Sequence, residues 1–145
     1  LGTVRITYDD GLNTQNYDNA DIILTGVSRS GKTPTCLFLA LQYGIYAANY
    51  PLIEQDLHTM HLPKELRQHK DKLFGLSINP VRLQNIRNER RSNSGYASIN
   101  QCRKEVRRAE DIFVENNVPF LDTSQTSIEE IATRILHKTK LKRRY

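Results

Sequence analysis

Apolar and polar positions in this chain repeat with two different periods. Leu1 to Tyr8 alternates, with Val4, Ile6 and Tyr8 on one face, which predicts a strand closed by the Asp9-Asp10-Gly11 turn. Leu12 to Asn19 is rich in Asn and Asp and reads as a loop. Asp21 to Val27 carries Ile22, Ile23 and Leu24 into a glycine loop, the pattern of a strand buried on both faces. Lys32 to Tyr43 predicts a helix that is apolar on several sides and stops at Gly44. A second strand is expected over Ile45 to Ile53. A short helix is expected over Leu62 to Lys72, with Pro63 in its first turn.

Leu73 to Ile78 is a third apolar run. Asn79 and Pro80 then serve as cap and first residue of a helix to about Arg91, with Leu83 and Ile86 inward and the arginines outward. Arg90 to Ser98 reads as a mobile loop. Ser98-Ile99-Asn100-Gln101 is a capping box, and Cys102, Val106, Ala109 and Phe113 follow it as a core stripe. Val118 to Leu121 is a fourth strand. Thr126-Ser127-Ile128-Glu129 caps a last helix with Ile128, Ile131, Ile135 and Leu136 inward. Strands alternating with helices predict an α/β fold, a mostly parallel sheet with helices on both faces. Leu1 to Tyr8 is the exception, an antiparallel edge or part of something upstream.

Length sharpens this picture. A chain of 145 residues buries about two-thirds of its surface, enough for one core and too little for a second full-sized domain or a large barrel. Residues 1–145 are therefore expected to form a single domain, with a basic C-terminal tail over 137–145. The 38% hydrophobic and 26% charged residues exclude a disordered chain. Thr33 to Ile53 carries no charge, but Pro34, Gln42, Gly44, Asn49 and Pro51 interrupt it, so no membrane span is expected. Nothing in Leu1 to Asp10 resembles a secretory signal. Two cysteines, Cys36 and Cys102, are too few for a disulfide scaffold and suit a reducing, cytoplasmic setting. The net charge of +5 suggests an anionic partner. No ribbon of aromatic and basic residues points to nucleic acid.

The strongest chemical signal is Gly26-Val27-Ser28-Arg29-Ser30-Gly31-Lys32-Thr33, a full match to G-x-x-x-x-G-K-[ST]. Roughly one chain of this length in two hundred should match by chance. The strand before the loop and the helix after it supply the required context. Glycines let successive N–H groups face one concavity, and the helix N-terminus adds about half a positive charge. Lys32 adds a full charge, and Thr33 can ligate Mg²⁺. Arg29 either clamps a phosphate or faces solvent. The fold class sharpens to a three-layer P-loop NTPase-like domain whose strand, helix and lid order is similar to the small nucleoside monophosphate kinases.

Arg87, Arg90 and Arg91 precede the mobile loop, where lid arginines neutralise a transferred phosphoryl group. Arg103, Arg107 and Arg108 read as a solvated helix face. A carboxylate for Mg²⁺ or for a hydroxyl proton belongs at a strand end: Asp122 fits by position, as do Glu54 and Asp56. Asp122 equally fits a turn or cap. The histidines His58, His61, His69 and His137 are scattered and make a poor metal site.

Gly26 to Thr35 does not stand alone. Ala47-Ala48-Asn49-Tyr50-Pro51-Leu52, Lys72-Leu73-Phe74-Gly75-Leu76, Ile86-Arg87-Asn88-Glu89-Arg90-Arg91, Tyr96-Ala97-Ser98, Pro119-Phe120-Leu121-Asp122-Thr123 and Ser127-Ile128-Glu129-Glu130-Ile131-Ala132 accompany it. Together they resemble the regulatory proteins of phosphoenolpyruvate synthetase and of pyruvate, phosphate dikinase, from about Asp9 to about Leu136. The resemblance implies a bifunctional enzyme. It would phosphorylate a threonine of its target with ADP, releasing AMP, and remove that phosphate with inorganic phosphate, releasing pyrophosphate. It places ADP on Gly26 to Thr33 and leaves room for a homodimer. Such proteins are about twice this long, so the chain is expected to be their C-terminal half. Where the family reads Asn-Ser-Arg-Tyr-Ala-Ser, this chain has Asn93-Ser94-Gly95-Tyr96-Ala97-Ser98, which takes a charge from the lid. Lys32, Arg90 and Asp122 are the candidate catalytic residues, and Thr33 the candidate metal ligand. The competing expectations are an ATP-dependent small-molecule or nucleotide kinase, and a nucleotide-binding module that needs an N-terminal domain.

Overall fold

The computed structural model describes residues 15–90, 95–139 and 141. The expected strand at Leu1 to Tyr8, and Arg91 to Ser94, lie outside them. Four strands form one parallel sheet: β1 (Ile22–Gly26), β2 (Ala47–Pro51), β3 (Leu73–Ser77) and β4 (Phe120–Asp122), in the order β2-β1-β3-β4. Leu24 sits between Asn49 and Phe74, and Leu76 pairs with Leu121. β1 is thus central, and its C-terminal end opens at the middle of the sheet edge.

Alternation along the strands sorts the core into two layers. Ile22 and Leu24 of β1 with Phe74 and Leu76 of β3 face α1 (Lys32–Tyr43) and α6 (Ile128–Thr139), meeting Cys36, Leu39, Ile131, Ala132 and Ile135. Ile23 and Leu73 face the other way. There α4 (Pro80–Arg90) and α5 (Ile99–Glu115) bring Leu83, Cys102, Val106, Ala109, Ile112 and Phe113. Each fully buried Leu, Ile or Phe contributes about 1.5–3 kcal/mol. Phe113 packs close against β3 because residue 75 is glycine: a Cβ there would sit 2.6 Å from its ring.

Three local expectations need correction. The stretch from Leu62 to Lys72 is not one helix. It gives α3 (Lys64–Arg67) and a separate 3₁₀ turn at Lys70–Lys72. An unforeseen helix, α2 (Glu54–Thr59), follows β2; its start is capped by the Asp56 carboxylate, which accepts the Ile53 N–H at 3.0 Å. α6 is capped by Ser127, whose hydroxyl accepts the Glu130 N–H at 3.2 Å, rather than by Thr126. It runs through His137, Lys138 and Thr139, the start of the expected tail. Asn79 and Ser98 do cap α4 and α5, and Gly44 ends α1 in the left-handed region at φ 67°.

Candidate functional site

The loop from Gly26 to Thr33 lies at the centre of the sheet's C-terminal edge. Gly26 is dictated by packing, since a Cβ there would lie 2.4 Å from the Leu76 carbonyl oxygen on β3. Arg29 and Gly31 adopt left-handed backbone, at φ 71° and 99°. Such residues turn neighbouring N–H groups to one side, which makes an anion nest. Glycine does this freely, whereas a residue with a Cβ, such as Arg29, bears about 1–2 kcal/mol.

Hydrogen bonds hold the loop in that shape. The Val27 carbonyl accepts the Ser30 N–H at 3.3 Å, the Ser30 hydroxyl at 2.8 Å and the Lys32 ammonium at 2.7 Å. Lys32 is buried beneath the loop. The Thr123 hydroxyl, just past β4, donates to the Ser30 carbonyl at 3.1 Å and the Ser77 carbonyl at 3.0 Å. Thr33 is exposed in the first turn of α1, and its hydroxyl accepts the Asn49 side-chain amide at 2.9 Å.

Arg87 departs from expectation most. Its side chain is fully buried, on the inner stripe four residues after Leu83. Its guanidinium forks onto the Glu105 carboxylate at 2.9 and 3.1 Å. The same group donates to the Ser28 carbonyl at 3.1 Å and the Tyr96 carbonyl at 2.9 Å, and lies 4.1 Å from the Tyr96 ring centre. Burial alone would lower its pKa. The hydrogen bond and charge of Glu105 outweigh that and hold it above the ordinary value. The Ser28 and Tyr96 hydroxyls close the cluster at 2.7 Å. The loop, α4, α5 and the 3₁₀ turn Gly95–Ala97 are thereby tied at one point. Cys102 is close by, and burial pushes its thiol up.

Beside this cluster is a cavity of about 600 Å³, lined among others by Ser28, Ile53, Glu54, Tyr96, Gln101 and Glu105. Gly95 lines it too, and a side chain added there meets nothing within 4 Å.

The other candidates are dispersed. Arg90 is exposed at the end of α4, and Arg91 lies outside the described residues. The Asp122 carboxylate accepts the Ser124 N–H at 2.8 Å and organises a turn beside Asn79, with Arg82 lining the same concavity. Asp56 is engaged in capping α2; burial pushes its carboxyl up, against the Ile53 hydrogen bond, and Glu65 adds to the rise. Among the described residues no group of metal-ligating side chains is found, nor any helix long and apolar enough to cross a membrane. Glu105, Thr123 and the packing role of Tyr96 escaped the sequence reading. The spacing of Arg87 behind Leu83 was the one signal available for this cluster.

A glycine loop that ends a central parallel strand and opens a helix, inside an α/β sandwich, defines a protein of the P-loop class. The family model described as Kinase/pyrophosphorylase matches residues 4–136, and the chain belongs to that family. Relatives include proteins named "Putative phosphoenolpyruvate synthase regulatory protein" from Alkalilimnicola ehrlichii and Neisseria gonorrhoeae. They are 58% and 57% identical, over 96% and 97% of this chain. The chain spans about half the length of these curated relatives, 51% in each case. A solved structure, the YorR protein of Bacillus subtilis in complex with phosphorylated GDP, matches at 14% identity with a TM-score of 0.43. It covers 88% of this chain and 85% of that one, a likeness too slight to bear on function.

Proposed function

We propose that this chain is the nucleotide-handling part of a bifunctional regulator of phosphoenolpyruvate synthase or pyruvate, phosphate dikinase. The observation that carries the reading is the loop itself: an anion nest at the centre of the sheet edge, with Lys32 beneath it and a cavity beside Ser28. The names of the relatives support a protein target, and the family name supports phosphoryl transfer in both directions.

In the forward direction a threonine hydroxyl of the target attacks the β-phosphorus of ADP. The bond from that phosphorus to the bridging oxygen breaks, and AMP leaves with its electrons. The hydroxyl proton passes to a carboxylate at a strand end, either Asp122 or Glu54, of which Glu54 lines the cavity. In reverse, an oxygen of inorganic phosphate attacks the phosphothreonine phosphorus; pyrophosphate forms and the threonine oxygen recovers a proton. Loop N–H groups and Lys32 hold the phosphates, and Arg90 at the end of α4 neutralises charge on the transferred group. Mg²⁺ would neutralise the diphosphate, and the exposed Thr33 hydroxyl, which accepts one hydrogen bond, keeps a lone pair for it.

A second reading, an ATP-dependent small-molecule kinase, is favoured by the cavity, whose size falls in the range of small-ligand sites. The test uses ADP labelled at the β-phosphate with purified phosphoenolpyruvate synthase. Labelled phosphothreonine with one AMP per transfer, absent in Lys32→Ala, is the expected result. Transfer only by a longer protein would make this chain a nucleotide module that needs a further domain. Consumption of ATP without protein labelling would favour the small-molecule kinase.

A further inference from the structure

Helices α2 and α5 pack side by side, and the crease between them changes charge along its length. At the end beside the loop it is walled by Glu54, Gln101 and Glu105. One turn further along α2 comes His58; one turn further along α5 come Lys104 and Arg108, at i+3 from Gln101 and Glu105. With Arg103 and Arg107 these residues surround a second concavity of about 560 Å³. The two ends lie roughly 4.5–6 Å apart along the helix axes, from the 1.5 Å rise per residue.

The basic end is only partly compensated, four cations against one acid. Among the described residues Arg103, Lys104, Arg107 and Arg108 form no ion pair, and Arg108 donates instead to His58 Nδ1 at 3.3 Å. Asp111 is the one acid lining the concavity. A solvated helix face usually carries mixed signs, as α6 does, where Arg134 pairs with Glu130 at 2.9 Å. Four like charges around a hollow repel one another, and an anionic partner relieves that repulsion.

The dimensions choose the partner. Arg103 to Arg108 spans only about 7.5 Å of helix, too short to track a nucleic-acid backbone. No Phe, Tyr or Trp lines the concavity for a base to stack on, and its one ring, His58, already accepts from Arg108. We propose that it docks an acidic surface of the folded protein substrate, presenting the acceptor hydroxyl to the cavity one turn away. This rests on the protein-phosphotransfer reading above. Docking energy gained away from the reacting atoms then orients the acceptor.

The test compares the chain with Arg103→Glu/Arg107→Glu and with the milder Arg103→Gln/Arg107→Gln. Binding to immobilised phosphoenolpyruvate synthase is measured at low salt and at about 0.15 M. ADP affinity is measured alongside and reports an intact fold. The charge reversal should weaken binding at least about tenfold and the neutral variant less, while salt weakens the wild type and ADP affinity is unchanged. Wild-type binding that neither variant nor salt alters would overturn the docking site alone. Failure of the wild type to bind the synthase would overturn the choice of target, and the docking site with it. Duplex DNA or tRNA bound by the wild type and lost in the reversal would assign the patch to nucleic acid instead.

Discussion

On one face of the sheet, α1 and α6 meet the strands through Leu39, Ile131 and Ile135, with Cys36 and Ala132 between them. On the other, α4 and α5 bury Arg87 among Leu83, Cys102 and Val106 and pair it with the partly exposed Glu105 at the cavity wall. Apolar contact is non-directional, so the first layer can cover the sheet without dictating where any one backbone atom lies. A guanidinium fork is directional, and it fixes the Ser28 carbonyl, the Tyr96 carbonyl and α5 relative to one another. A buried ion pair contributes little net stability over a well-packed apolar substitute. Its contribution here is orientation, placed on the side of the sheet where the glycine loop meets the cavity.

The largest expected effect separates the layers directly. Arg87→Ala empties a buried site and leaves Glu105 with Gln101 alone as its partner, and should cost about 3 kcal/mol in denaturant unfolding. It should also weaken ADP binding about tenfold, the worth of the hydrogen bond to the Ser28 carbonyl. Ile135→Ala in the apolar layer should cost about 2–5 kcal/mol and leave ADP affinity unchanged. If both variants changed ADP affinity alike, the division between layers would fail. Gly75→Ala forces a Cβ against the Phe113 ring and should cost about 1–3 kcal/mol, visible as a lowered melting temperature. Tyr96→Phe removes only the hydroxyl paired with Ser28. It should lower stability by about 0.5–1.5 kcal/mol while the ring still covers Arg87.

The same contrast explains what could be read from sequence. Apolar contacts were accessible on both faces, because burial imposes a period: Ile131 and Ile135 of α6 pack inward as expected, and so does the α5 stripe from Cys102 to Phe113. The loop was accessible because its chemistry demands glycines and a lysine at set spacing. The polar layer was not. Arg87, in a run with Arg90 and Arg91, read as a lid arginine facing out; its spacing behind Leu83 hints that it turns inward, but nothing local names Glu105, eighteen residues away, as its partner. α2 was missed because six residues capped by Asp56 are too few to show a helical period. The brace from Thr123 to the Ser30 carbonyl joins positions 93 apart, and only the sheet order brings them together.

The most direct test of the account is calorimetric titration of ADP into the chain and into Lys32→Ala. Lys32 lies beneath the loop, bonded to the Val27 carbonyl. Its loss should weaken ADP binding about tenfold to a hundredfold without changing the unfolding midpoint by more than a few degrees. Equal ADP affinity in the two proteins would contradict the assignment of Gly26 to Thr33 as the phosphate site, and with it the reading of the chain as a phosphotransferase.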